Sequence, residues 1–164
     1  MSKSEKNLAE AFAGESQANR KYLAFAKKAD EEGLSQVAKL FRAAAAAETV
    51  HAHAHLRVLG GIGSTAQNLQ EAIGGETHEF TAMYPEMIDE AKEEGNKEAQ
   101  MSFMYANAVE KIHAELYQKA ADAMGGLAET DYYVCDVCGN TVEGEAPDKC
   151  PICGMDKTHF MKID

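Results

Sequence analysis

What the chain lacks narrows its role before any motif is read. No run of apolar residues is long enough to cross a bilayer, and the first residues lack the charged, apolar and small-residue order of an export leader. The expectation is a protein with no membrane partner. Basic residues are scarce: Lys and Arg number 16 against 27 Asp and Glu, for a net charge of −11. That balance argues against nucleic acid as partner, because phosphate binding needs a basic surface. Cysteine is missing from the long N-terminal part, and all four cysteines fall between Cys135 and Cys153. Metal binding in a reducing compartment explains that clustering better than disulfides spread to staple a fold.

What is present suffices for one domain of moderate size and a small appendage: 164 residues, 45% of them hydrophobic. Within an alanine-rich run stands Glu48-Thr49-Val50-His51, and the same Glu-x-x-His unit recurs as Glu110-Lys111-Ile112-His113. Helix positions three apart share a face, so each unit aims a carboxylate and an imidazole the same way. One such pair is commonly solvated, whereas two pairs set in apolar stripes match a known bundle arrangement. In it a Glu comes from each of two helices and Glu-x-x-His from each of the other two.

Taken in order, the chain reads as four helices and a tail. The first spans Ser4 to Glu32, with Leu8, Phe12, Glu15, Asn19, Tyr22 and Ala26 along one stripe and Gly33 as its stop. Ser35 is expected to cap a second helix running to about Leu59, its stripe carrying Glu48, His51 and His55. Residues 61 to 74 read as a connection with a short helical turn near Asn68 to Ile73. A third helix is expected from about Gly75 to Glu94, presenting Glu76, Glu79, Met83 and Met87, with a kink at Pro85. The fourth runs from about Asn96 to Met124 with Glu110 and His113 in line. The fold class is therefore mainly α, a four-helix bundle over residues 1–129, followed by a small four-cysteine domain over 130–164.

Five carboxylates (Glu15, Glu48, Glu76, Glu79 and Glu110) and two imidazoles (His51 and His113) thus occupy inward positions. Burying one unpaired carboxylate costs several kcal/mol, and five together repel or take up protons. A purely structural role is the poorest explanation, and hard oxygen ligands with imidazole suit iron or manganese. His53 lies about 200° around the helix from His51 and faces elsewhere. His55 shares the His51 side in a supporting or packing role. Tyr22 and Tyr84 are candidates to hydrogen-bond the ligands, and the methionines read as core filler. In the tail, Cys135-x-x-Cys138-Gly139 and Cys150-x-x-Cys153-Gly154 form two knuckles whose glycines permit positive φ. A tetrahedron of four thiolates suits zinc or a single iron.

With these motifs in place the chain resembles the rubrerythrins. The resemblance runs from Glu15-Ser16 through Glu48-x-x-His51, Glu76-x-x-Glu79 and Glu110-x-x-His113 to the two cysteine knuckles. Glu79 and the rubredoxin-like tail set it apart from ferritins, which resemble only the bundle. The segment between the knuckles is shorter than in free-standing rubredoxins. The resemblance implies a ferritin-like di-iron bundle, with two irons held by the helices and one iron in the tail. It also implies a cytoplasmic peroxidase that reduces hydrogen peroxide to water, with electrons from NAD(P)H through a separate reductase and/or rubredoxin. By position Glu48 and Glu110 would bridge the irons, Glu15 would bind one, and Glu76 with His113 the other. Glu79 and His51 would exchange with redox state. Two other readings are a ferritin-like iron-oxidising or storage protein, and a zinc-ribbon binding module on a helical scaffold. A homodimer is expected, with exchange of helix pairs between protomers open.

Overall fold

The computed structural model describes all of residues 1–164. They divide into two compact units, Met1–Gly63 and Ser64–Asp164. The first unit is a helical hairpin. Helix α1 (Lys3–Glu31) starts at a capping box, in which Ser2 accepts from the Glu5 N–H and the Glu5 carboxylate accepts from the Ser2 N–H. It ends at Gly33, whose φ of 75° is open to glycine and strained for other residues. Helix α2 (Ser35–Val58) follows. Ser35, expected as its cap, is instead its first residue; the cap position falls on Leu34 and no side chain fills the role.

The hairpin closes on small residues. Ala38, Ala45 and Ala52 are buried on α2 at a seven-residue interval, with Ala26 and Ala29 buried on α1. Side chains of that size let the two backbones approach closely. Asn19 Nδ2 then reaches across to donate to the Ala45 carbonyl at 2.7 Å and to Thr49 Oγ1 at 2.8 Å. Tyr22, Phe25 and Phe41 cluster through their rings nearby. Leu40, Val50 and Val58 remain exposed, so the pair alone does not cover its apolar surface.

The third helix, expected from about Gly75, begins ten residues earlier, at Thr65. Helix α3 runs Thr65–His78, started by a second capping box between Ser64 and Gln67. The expected loop over 61–74 is therefore mostly helix, and only Leu59–Ser64 joins α2 to α3. Gly74 and Gly75 lie inside α3 with ordinary negative φ; the capping box and the flanking helix formers outweigh their low propensity. The expected kink near Pro85 takes the form of a π-turn over Glu79–Met83, before α4 (Tyr84–Glu93). There the Tyr84 N–H bonds the Glu79 carbonyl, five residues back. Proline lacks an N–H and its ring clashes with the carbonyl four residues earlier. Widening the preceding turn accommodates both problems without ending the helix. Helix α5 (Lys97–Asp122) is capped by Asn96, which accepts from the Ala99 N–H.

The tail folds as a three-stranded antiparallel sheet in the order β2-β1-β3, from β1 (Tyr132–Cys135), β2 (Thr141–Glu143) and β3 (Phe160–Ile163). It packs on α5 within the same unit. Lys119 Nζ meets Glu143 at 2.6 Å, and Gly139 backs onto Val109. As expected, the chain is mainly α, four helical runs followed by a small cysteine-rich sheet.

Candidate metal centres

Each unit gathers its own triad. In the first, α1 supplies Glu15 and α2 supplies Glu48 and His51; in the second, α3 supplies Glu76 and α5 supplies Glu110 and His113. Within each triad the ligand atoms lie within 4.8 Å of one another. His51 Nδ1 stands 2.9 Å from Glu48 and 3.8 Å from Glu15. His113 Nδ1 stands 2.8 Å from Glu110 and 3.6 Å from Glu76. Both Glu-x-x-His units thus converge as the helical period requires, each joined by a carboxylate from the neighbouring helix.

The electrostatics show what such a cluster costs without a cation. A hydrogen bond with Glu48, then burial and the Glu48 charge, raise the Glu15 pKa. Glu48 is lowered through its hydrogen bonds from Glu15 and His51. The two carboxyls therefore push each other's pKa apart, Glu15 upward and Glu48 downward. Glu76 is pushed up to about 7 by burial, by the charge and hydrogen bond of Glu110, and by the charge of Glu79. Carboxylates held this close favour either a proton or a cation between them. Two oxygens and an imidazole converging on one point fit a hard or borderline divalent metal.

Glu79 is the first residue of the π-turn and stands outside both triads, yet close enough to raise Glu76 and Tyr84. Burial first, then the charges of Glu110, Glu79 and Glu76, hold the Tyr84 hydroxyl above its ordinary range. Tyr84 therefore sits beside the second triad. Tyr22 is placed in the aromatic cluster with Phe25 and Phe41. His53 lines a separate hollow with Phe12, Ser16 and Arg20, and His55 lies near enough to Glu15 to lower its pKa.

The two knuckles repeat the same local bonding. Gly139 N–H donates to the Cys135 carbonyl at 2.8 Å and Gly154 N–H to the Cys150 carbonyl at 2.9 Å; both glycines have positive φ, 82° and 78°. Cys135 and Cys153 sulfurs are 3.6 Å apart, as are those of Cys138 and Cys150. All four are free thiols. A tetrahedron with metal–sulfur bonds of about 2.3 Å has edges of about 3.8 Å, so the four sulfurs already frame one ion. Burial raises Cys150, but the N–H groups of Cys153 and Ile152 and the Cys138 and Cys153 sulfurs outweigh it and bring the thiol to about 7. Burial leads in raising Cys138 and Cys153.

Two neighbours of these sites carry no motif and escaped the sequence reading. Asn140 is fully buried and donates from Nδ2 to Cys150 Sγ at 3.6 Å. Thr141 Oγ1 lies 2.9 Å from His113 Nε2, a contact across 28 residues that no spacing rule announces.

Comparison with known proteins points to one family. The rubrerythrin family model matches residues 6–121, and the model of the rubrerythrin rubredoxin-like domain matches residues 133–161. Rubrerythrin-2 of Clostridium acetobutylicum is 38% identical over 93% of this chain and 92% of its own length. Nigerythrin of Nitratidesulfovibrio vulgaris is 37% identical over 94% of this chain and 83% of its own. A solved structure of fully reduced, all-ferrous nigerythrin covers 99% of this chain and 88% of its own, at 35% identity and a TM-score of 0.61. The chain, with its Glu/His groups for a di-iron site and its four-cysteine rubredoxin-like site, belongs to the rubrerythrin family.

Proposed function

We propose that the protein is a non-haem di-iron peroxidase that reduces hydrogen peroxide to two molecules of water. Electrons come from NAD(P)H by way of a separate reductase and/or rubredoxin and enter at the iron of the four-cysteine site. The observation that carries this reading is the direct hydrogen bond between a residue of the cysteine-rich tail and an imidazole of a carboxylate triad. A ferritin-like iron store has no use for such a tail, and a zinc ribbon on a scaffold has no use for the triads.

In this reading Glu48 and Glu110 would be shared by the two metals, Glu15 would hold one, and Glu76 with His113 would hold the other. Two irons held there would supply together the two electrons that cleavage of the peroxide O–O bond requires. The four carboxylates Glu15, Glu48, Glu76 and Glu110 balance two divalent ions. Glu79 is the fifth carboxylate, available to replace His51 when the charge of a poorly solvated site rises, where imbalance is expensive.

The centre is proposed to form in a homodimer that exchanges helix pairs. A ferritin-like bundle within one chain needs one long crossover connection. The six residues Leu59–Ser64 reach at most about 20 Å when extended, while α2, with 24 residues, is about 36 Å long at 1.5 Å per residue. A second copy supplies the parallel helix pair without any crossover. The exposed Leu40, Val50 and Val58 of the first unit give that copy apolar surface to cover.

The test is anaerobic metal analysis followed by stopped-flow oxidation of the reduced protein with peroxide and, separately, with oxygen. Two irons in the helices and one in the tail, with peroxide much the faster oxidant and turnover sustained by a reductase, are expected. Zinc in the tail with empty helices, or iron loading into a cage, would overturn the reading.

A further inference from the structure

We propose that Thr141 is a positioning residue for His113, selecting which ring nitrogen is offered to metal and anchoring the ring to the first cysteine knuckle. The inference rests on, and deepens, the reading of the triads as a metal centre. His113 turns Nδ1 toward Glu110 and Glu76, at 2.8 and 3.6 Å. Its other nitrogen, Nε2, is 2.9 Å from Thr141 Oγ1. The hydroxyl in turn donates to the Gly139 carbonyl at 3.1 Å.

A hydroxyl has one proton and two lone pairs. While it donates to Gly139, Thr141 can only accept from His113, so it holds a proton on Nε2 and leaves Nδ1 as the nitrogen to be offered to metal. That is the tautomer in which Nδ1 can bind a metal. Thr141 thereby joins the ring to Gly139, the residue after Cys138. From the Cys138 sulfur to the His113 ring the route is a short stretch of main chain and two hydrogen bonds.

Leu116, Tyr117, Val134 and Ile163 line the cleft around this contact, an apolar setting in which a lost hydrogen bond is poorly replaced by water. The first triad has nothing equivalent. His51 bonds only Glu48 through Nδ1, and its side chain is 55% exposed against 27% for His113.

The experiment loads the full chain with zinc at both kinds of site and follows the His113 ring by 15N and 1H NMR, beside zinc titrations of the second triad. Wild type is expected to show an Nε2–H protected from exchange. Thr141→Val keeps the branched shape and removes the hydroxyl; it should lose that protection and weaken zinc at the second triad by about ten- to a hundredfold. Thr141→Ser should restore both. Zinc at the cysteines, unchanged in all three, verifies the fold of the tail. A Thr141→Val protein with wild-type protection and affinity overturns the proposal. So does a Thr141→Ser protein that fails like valine, since the missing methyl would then be responsible. None of these readouts uses turnover, so a chain that positions zinc in this way but does not reduce peroxide overturns the peroxidase reading and leaves this one standing.

Discussion

In the first helix pair the imidazole stands 2.9 Å from its own-helix carboxylate and 3.8 Å from the neighbouring one; in the second the distances are 2.8 and 3.6 Å. The surroundings of the two triads diverge. Three residues after Glu15 comes Ala18, whereas three after Glu76 comes Glu79. Tyr22 follows Glu15 by seven positions and Tyr84 follows Glu76 by eight. The one extra residue falls where the second pair opens into the π-turn, and a turn closed over five residues absorbs it. The second triad also has Thr141 at its back. Two triads of the same residue types thus differ in what lies one layer outside them.

The comparison is broken most completely by removing the carboxylate of the Glu-x-x-His unit from each half. Glu48→Ala and Glu110→Ala chains should each be inactive alone. Refolded together, dimers with exchanged helix pairs regenerate one intact centre per mixed pair, about one quarter of all sites by random pairing. Assay of peroxide turnover and iron content in the mixture checks this, and no recovery would mean that each chain completes its own centre.

Next in size is the contrast between Glu79 and His51. Glu79→Ala is expected to bind ferrous iron nearly normally and react once with peroxide, then lose iron or re-reduce abnormally. His51→Ala should weaken the reduced state by at least the roughly 10–100-fold typical of supporting residues around a metal. Iron affinities in both oxidation states, set beside stopped-flow traces, separate the two; identical behaviour of Glu79→Ala and wild type would remove the exchange.

A smaller effect is read in protons. The folded Glu76 pKa is raised from 4.5 to about 7, so the metal-free fold binds this proton more tightly than the unfolded chain does. Its contribution to stability is fully present below 4.5 and is lost as pH rises through about 7. Metal uptake at the second triad should therefore release more protons at pH near ~6 than near ~8. Calorimetry in buffers of different ionisation enthalpy measures this, and Glu76→Gln should abolish the difference.

The least consequence is expected from the exposed clasp between Lys119 and Glu143, which ties the tail to α5 at 2.6 Å. Lys119→Ala should shift the second unit's unfolding midpoint only slightly, because solvent screens a pair whose lysine is this exposed. A large loss would show that the docking of the tail hangs on this pair.

How much of this was legible in the sequence depended on range. Glu48-x-x-His51 and Glu110-x-x-His113 could be read because three positions on a helix fix the geometry wherever the helix lies. The knuckles could be read because two residues between cysteines and a following glycine define a turn. The start of α3 was misplaced because Gly74-Gly75 looked like a loop, and the Ser64-x-x-Gln67 capping box that decides the matter was passed over. The π-turn was hidden because it appears only when Glu15–Tyr22 is laid against Glu76–Tyr84. Thr141 was out of reach, because its partner is set by how the sheet docks on α5.

The short joint Leu59–Ser64 has a thermodynamic consequence. If it forces each centre to be completed by a second copy, metal binding and dimer formation are one equilibrium. The apparent iron affinity then depends on protein concentration by mass action. On dilution the protein gives up helix partner and metal together, so a single dissociation constant for iron has meaning only at a stated amount of chain.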